Sequence, residues 1–192
     1  MSVFESIILG LIQGLTEFIP ISSSGHLVIA QNFFDGASNH LFLEWINIGT
    51  MFALIVFFRK KIASIVREVI VERKYALATN ITLTVIPAGL IGYFAADFIN
   101  DSNFFVSVVV VAVMLAVVGI VMIILEKLPR ASEVKDGREL SKQRALFIGF
   151  LQVLALIPGT SRSGVTIIAG RLSGLRPKEA AEYSFLVSIP IM

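Results

Sequence analysis

Gln13-Gly14-Leu15-Thr16-Glu17-Phe18-Ile19-Pro20-Ile21-Ser22-Ser23-Ser24-Gly25-His26 interrupts an apolar stretch of the chain. Residues 3–19 are largely apolar, the polar break follows, and 27–34 is apolar again. A helix needs about 20 residues to cross ~30 Å of hydrocarbon. Each half is too short, or too poorly separated from the other, to give two independent spans. A helix–loop–helix re-entrant hairpin over 2–34 fits better. Non-helical backbone at membrane depth is tolerated only inside protein or beside a watery cavity, so the break is also the first place to look for a site. The bland alternative is one ordinary span plus a surface loop.

The break occurs twice. Residues 145–157 are apolar, Pro158-Gly159-Thr160-Ser161-Arg162-Ser163-Gly164 follows, and 165–170 is apolar again. This predicts a second hairpin over 143–175. A shift of 139 positions lays Gly10 on Gly149, Gln13 on Gln152, Leu15 on Leu154, Ser22 on Ser161, Ser24 on Ser163 and Gly25 on Gly164. Identities this sparse carry little alone. They gain weight because both copies break at the same place.

Composition agrees with a membrane setting. Of 192 residues, 56% are hydrophobic and 16% charged, and the mean hydropathy is +0.85. Soluble domains run about 45–50% apolar and about 25% charged. The absence of cysteine excludes disulfides, thiolate catalysis and zinc–thiolate sites. Residues 1–58 and 75–126 contain no Lys or Arg. Between them stand Arg59, Lys60, Lys61, Arg67, Arg73 and Lys74, and after them Lys127, Arg130, Lys135, Arg138, Lys142 and Arg144. Short basic loops between long apolar blocks mark a polytopic protein with those loops in the cytoplasm. Nucleic-acid binding is not expected, because the runs are short and flank bilayer-length segments.

Three full spans are predicted, at 40–58, 76–97 and 104–126. The positive-inside rule puts 59–74 and 127–142 in the cytoplasm. The turn at 98–103 has no cation and belongs outside, and residues 62–74 suit a short amphipathic helix at the inner surface. An odd number of spans separates the hairpins, so the first enters from outside and the second from inside. The expected fold is therefore an all-α polytopic membrane protein, an inverted-topology repeat with two re-entrant helical hairpins and a site near the midplane. Residues 1–139 form the first unit. Residues 140–192 form a partial second unit whose run 179–192 begins a further span. A unit of this length implies a second one ending near residue ~280, so part of it is expected to be missing from this chain. The N-terminus lacks the positive region and cleavage site of a removable signal.

The breaks also carry the chemistry. An ionisable group inside the bilayer is costly and is a functional candidate by default. Glu17 precedes Pro20, and Gln13 lies one turn earlier on the same face. His26 follows the first break and Arg162 lies inside the second. An arginine fork suits bidentate phosphate binding. Ser22, Ser23, Ser24, Thr160, Ser161 and Ser163 offer hydroxyls, and Gly25 and Gly164 let backbone N–H groups approach closely. Both breaks run into a new helix, whose start favours an anion. Glu17, with Gln13 or Glu5, can hold a divalent cation through oxygen. His26 can serve as acid, base or nucleophile, or a nearby serine can be the nucleophile. The plainer readings are close packing for Ser22 and Ser163, a structural ion pair for Glu17 and Arg162, a hydrogen-bonded histidine at His40, a cavity-lining role for Glu44, snorkelling for Arg171 and a kink at Pro87 and Gly89.

Residues 13–26 resemble the first signature of the bacterial undecaprenyl-diphosphatase family, also called bacitracin-resistance proteins, and 158–164 resemble its second. The resemblance covers the whole chain. It implies removal of the terminal phosphate of undecaprenyl diphosphate, which recycles the lipid carrier for cell-wall peptidoglycan synthesis. It further implies Mg²⁺ or Ca²⁺ dependence and a multi-pass protein of the bacterial cytoplasmic (inner) membrane whose site opens outward. The family's acidic position matches Glu17, its alternative Glu/Gln position Gln13, its motif serine Ser23, its histidine His26 and its phosphate-binding arginine Arg162, flanked by Ser161 with Thr166 just beyond. Expected partners are a polyprenyl diphosphate lipid and the bilayer, with a homodimer compatible. The main rival is a polyprenyl-phosphate transporter or flippase, which needs Arg162 but not His26. A purely structural subunit would leave Arg162 without a purpose.

Overall fold

The structure, a computed structural model, describes residues 2–31, 33–34, 40–102, 104, 107–127 and 134–192. The side chains of His40, Leu41, Glu44, Asn100 and Asp101 lie outside that description, so the expectations for His40 and Glu44 are not met or refused there. Among the described residues the chain is helical as predicted, apart from loops and one isolated bridge between Val134 and Leu175.

The first break separates α1 (Val3–Glu17) from α2 (Ser23–Gln31). A capping box starts α1: the Ser2 hydroxyl accepts from the Glu5 N–H, and the Glu5 carboxylate accepts from the Ser2 N–H at 2.7 Å. This corrects one expectation. Glu5 is spent on the helix start and stands twelve residues, about 18 Å of helix, from Glu17, too far for the two carboxylates to share one cation. Pro20 has no N–H to extend α1, and the chain reverses through Ser22, a buried residue at φ 63°.

Four helices follow: α3 (His40–Phe57), α4 (Arg59–Ile70), α5 (Ala76–Phe94) and α7 (Val108–Lys127), with a short α6 (Ala96–Asp101) between the last two. The predicted turn at 98–103 is thus mostly helical, because the chain breaks earlier, after Phe94. By length and composition α5 and α7 can cross a membrane, and the apolar part of α3, Trp45–Phe57, is shorter. Their outer faces expose large apolar side chains such as Phe94 (81%) and Val109 (72%), which a soluble surface would not present in such number. The second break separates α8 (Lys142–Gln152) from α9 (Arg162–Leu172), and α10 (Pro177–Ile191) follows.

The tightest packing joins α8 to α5. A Cβ on Gly149 would meet the Thr84 carbonyl oxygen at 2.7 Å and Pro87 at 2.9 Å, so only glycine permits this approach. Pro87 withholds an N–H from its own helix, and close by the Gln152 side-chain amide donates to the Thr84 carbonyl at 3.2 Å. Asn80 donates to the carbonyls of Gly137 and Leu140, and Thr84 meets the Tyr183 hydroxyl at 2.7 Å. These bonds tie α5, α8 and α10 around one core of Leu77, Ile148, Ala169, Ala180 and Val187.

The two basic segments meet at one end of the molecule. Arg138 donates to both Glu68 oxygens, at 2.6 and 3.0 Å, and also pairs with Asp136 at 2.7 Å. Lys61 pairs with Glu182 at 2.7 Å. The Arg138 hydrogen bond holds the Glu68 carboxyl down at about 2, and Glu68 in turn raises Arg138. Arg171 does not merely snorkel; it donates to Glu126 at 2.9 Å.

Candidate functional site

The two breaks meet beside α7. Gly25 sits against Val111 and Leu115, and Gly164 against Val118. Gly159, at φ 84°, lies so close to the Val111 backbone that a Cβ would overlap it. One apolar helix therefore buttresses both loops, and the space left between them is a cavity of about 310 Å³. Its polar wall is Glu17, Ser22, Ser23 and Ser24 from the first break and Thr160, Ser161, Arg162 and Ser163 from the second. Asn47 of α3, Ala155 and the α10 end, Ile191 and Met192, close it.

Glu17 is the hub. One carboxylate oxygen accepts from the Arg162 guanidinium. The other accepts from the Ser23 hydroxyl and, at 3.2 Å, from the Gln13 amide. Gln13 also donates to the Asn47 side-chain oxygen at 2.6 Å. Ion pair, hydroxyl and two carboxamides thus form one connected network, and low dielectric strengthens each member. Three buried polar atoms in or beside it have no partner among the described residues: Arg162 Nε, Thr160 Oγ1 and Gln13 Oε1. Buried groups left unpaired cost about 1–3 kcal/mol each, a cost that water or a polar ligand entering the cavity would relieve. α2 begins at Ser23 and α9 at Arg162, so two helix starts add positive potential here.

The two breaks are capped alike. Ser22 Oγ accepts from the Gly25 N–H at 3.3 Å, and Ser161 Oγ from the Gly164 N–H at 3.1 Å. Ser22–Ser24 and Ser161–Ser163 hydroxyls both lie 3.2 Å apart. The two glycine N–H groups are therefore used by the caps, and Gly25 and Gly164 serve close packing rather than direct approach to an anion. Two other expected residues stand back. Thr166 donates to the Arg162 carbonyl at 2.8 Å and meets Ser184 of α10, away from the cavity. His26 does not line the cavity; its Nδ1 lies 2.8 Å from the Ser22 carbonyl, which can only accept. Nδ1 is therefore the donor in that bond.

Asn47 was not anticipated. The signal was present, because a carboxamide inside the apolar run Trp45–Phe57 is costly unless paired or functional. Among the described residues no cluster of three or more His, Asp or Glu side chains forms a metal cage.

Helices with exposed apolar faces around a polar cavity that carries an arginine and a glutamate define an integral membrane protein. Residues 6–192 match the family described as bacitracin resistance protein BacA, and the chain belongs to that family. It is 42% identical over 199 residues to undecaprenyl-diphosphatase 1 of Clostridioides difficile, covering 100% of this chain and 72% of that protein. It is 38% identical to the undecaprenyl-diphosphatase of Marinobacter nauticus, over 100% of this chain and 74% of the relative. With undecaprenyl-diphosphatase 2 of Paramagnetospirillum magneticum it shares 35% identity over 98% of this chain and 72% of the relative.

Proposed function

We propose that this chain hydrolyses undecaprenyl diphosphate to undecaprenyl phosphate and phosphate, which returns the lipid carrier to cell-wall synthesis and accords with the family's description as bacitracin resistance proteins. The names of its relatives support the reaction. The observation that carries it is the junction at Glu17, where one carboxylate holds both a serine hydroxyl and an arginine inside a hydroxyl-lined cavity. Transport requires only that the headgroup be bound, and leaves a serine hydrogen-bonded to a base without a use.

Phosphoryl transfer is catalysed mainly by positioning and by stabilising charge. Arg162, whose Nε is free to turn to the ligand, and the N-terminus of α9 hold the diphosphate, with Thr160 and Ser161 beside them. Ser23 attacks the terminal phosphorus while its proton passes to Glu17. The anhydride P–O bond breaks, and undecaprenyl phosphate leaves with the bridging oxygen, which takes the proton from Glu17. The regenerated Glu17 carboxylate then deprotonates water as it attacks the phosphoserine; the Ser23–P bond breaks, Ser23 takes that proton back and phosphate is freed. The Glu17 contact supports Ser23, rather than His26, as the nucleophile. A divalent cation, Mg²⁺ or Ca²⁺, suits the oxygen donors Glu17 and Gln13 Oε1, since such ions are often held by one or two carboxylates plus substrate phosphates. Bound there, it would neutralise part of the diphosphate charge.

The site belongs in the cytoplasmic membrane, on the outward side. Asn47 stands twelve residues, or about 18 Å, from Arg59 at the basic end of α3, and basic ends face the cytoplasm. Two re-entrant hairpins related by an inverted repeat, dividing the chain into 1–139 and 140–192, account for the matching caps. They also account for Leu175, just past α9, returning to Val134 beside the start of α8. The test is phosphate release from a C15 or C55 prenyl diphosphate in nanodiscs. Wild type is expected to release phosphate and Ser23→Ala to lose about 10³-fold or more. No release by active-folded wild type ends the proposal.

A further inference from the structure

The cavity accounts for a headgroup and leaves the lipid's tail without a place. Another hollow, of about 330 Å³, is lined among the described residues by Phe18, Ala53, Leu54, Phe57, Phe58 and Phe185. Resting on the diphosphatase reading, we infer that this aromatic groove is the binding site for the first isoprene units of the substrate, and so a determinant of its chain specificity.

Continuity with the site argues for that occupant. The same three elements wall both spaces. Phe18 directly follows Glu17 at the end of α1. α3 carries Asn47 into the cavity and Ala53, Leu54 and Phe57 into the groove. α10 carries Ile191 into the cavity and Phe185 into the groove. On α3, Asn47 of the cavity and Leu54 of the groove stand seven residues apart on one face, about 10 Å of rise. A tail leaving the cavity along α3 therefore reaches the groove about 10 Å on, within the length of a C15 chain.

Its walls are built rather than incidental. Phe18 and Phe185 meet edge to face at 6.1 Å, Phe58 and Phe185 lie 6.4 Å apart, and Leu54, Phe58 and Leu186 form a buried cluster beneath. Rigid aromatic rings present a fixed shape, and their faces suit the methyls and double bonds of a prenyl chain. The groove ends at Phe57 and Phe58, next to Arg59. The bound chain thus runs toward the basic end of α3.

The test fills the groove without touching the headgroup site. Ala53 is exposed, so Ala53→Trp blocks the hollow while leaving the core cluster intact. In nanodiscs, Ala53→Trp is expected to raise KM for C15 and C55 prenyl diphosphates about tenfold, the loss of some 60 Å² of apolar contact. A C5 prenyl diphosphate is expected to show no change, and kcat no change for any. A second readout needs no hydrolysis. A prenyl diphosphate carrying a benzophenone on its proximal isoprenes is expected to crosslink to 53–58 or Phe185 in wild type. That crosslink should be competed by prenyl diphosphate but not by phosphatidylglycerol, and should be lost in Ala53→Trp. Crosslinks elsewhere, equal competition by phosphatidylglycerol, or an unchanged crosslink in the variant would overturn the groove. Crosslinking at the groove without phosphate release would instead remove the hydrolytic reading and leave the groove standing.

Discussion

Replacing Glu17 by Gln removes a charge and almost no volume. In the wild-type protein its carboxylate answers Arg162 on one oxygen and Ser23 on the other. Breaking a buried ion pair by removing one member costs about 3–5 kcal/mol, because the other charge stays buried and unpaired. Here 21% of the Arg162 side chain and 13% of the Glu17 side chain remain accessible, so the low end applies, about 3 kcal/mol. For a chain of this length that corresponds to a fall of roughly 6–12 °C in melting temperature. Arg162→Gln should cost the same. The double variant Glu17→Gln/Arg162→Gln places two neutral amides face to face and buries no lone charge. It should lie within about 2 kcal/mol of wild type, far less than the two single losses together. Activity separates the roles. If Glu17 takes the serine proton, phosphate release falls about 10²–10⁴-fold in the single variant and stays there in the double. Melting and phosphate release are read on the same nanodisc preparations. A double variant that regains both stability and activity refutes the reasoning, because the pair would then be structural only.

Gly149→Ala should destabilise the protein by about 1–3 kcal/mol, because the new methyl meets α5 backbone at 2.7 Å. Gly10→Ala, its counterpart in the first half with nothing within 4 Å, should be neutral or stabilising by up to ~1 kcal/mol; thermal melts of both decide. Gly159→Ala combines a left-handed backbone with overlap on Val111. It should abolish phosphate release while far-UV circular dichroism keeps its helical form. Glu68 carries a carboxyl lowered from 4.5 to about 2. Its contribution to holding α4 is complete above pH 4.5 and is lost as the pH falls toward 2. Hydrogen exchange in α4 should therefore quicken across that window in wild type and show no such pH dependence in Glu68→Gln.

What could be read from the chain alone was whatever depends on run length and composition. The apolar runs ending at Phe58, Asp97 and Glu126 located three helices to within a few residues, because hydrocarbon thickness sets helix length. Both breaks lie where Pro20 and Pro158 stand, and Gln13 bonds Glu17 because one helical turn separates them. Contacts between distant segments were not legible. Nothing in the spacing brings Ser23 onto Glu17, or Asn47 onto Gln13, since both depend on how α1, α2 and α3 pack. Caps also draw on groups that composition leaves available: a serine three residues before each glycine takes its N–H, and the capping box at Ser2 takes Glu5. The early end of α5 at Phe94 had no Pro or charge to announce it.

The most direct measurement is of the phosphoryl group itself. Turnover of undecaprenyl diphosphate by wild-type protein, quenched in acid and mapped by mass spectrometry, is expected to show phosphate on Ser23, and none on His26 or in Ser23→Ala. Full phosphate release by Ser23→Ala, with no phosphorylated residue in either protein, would contradict the account.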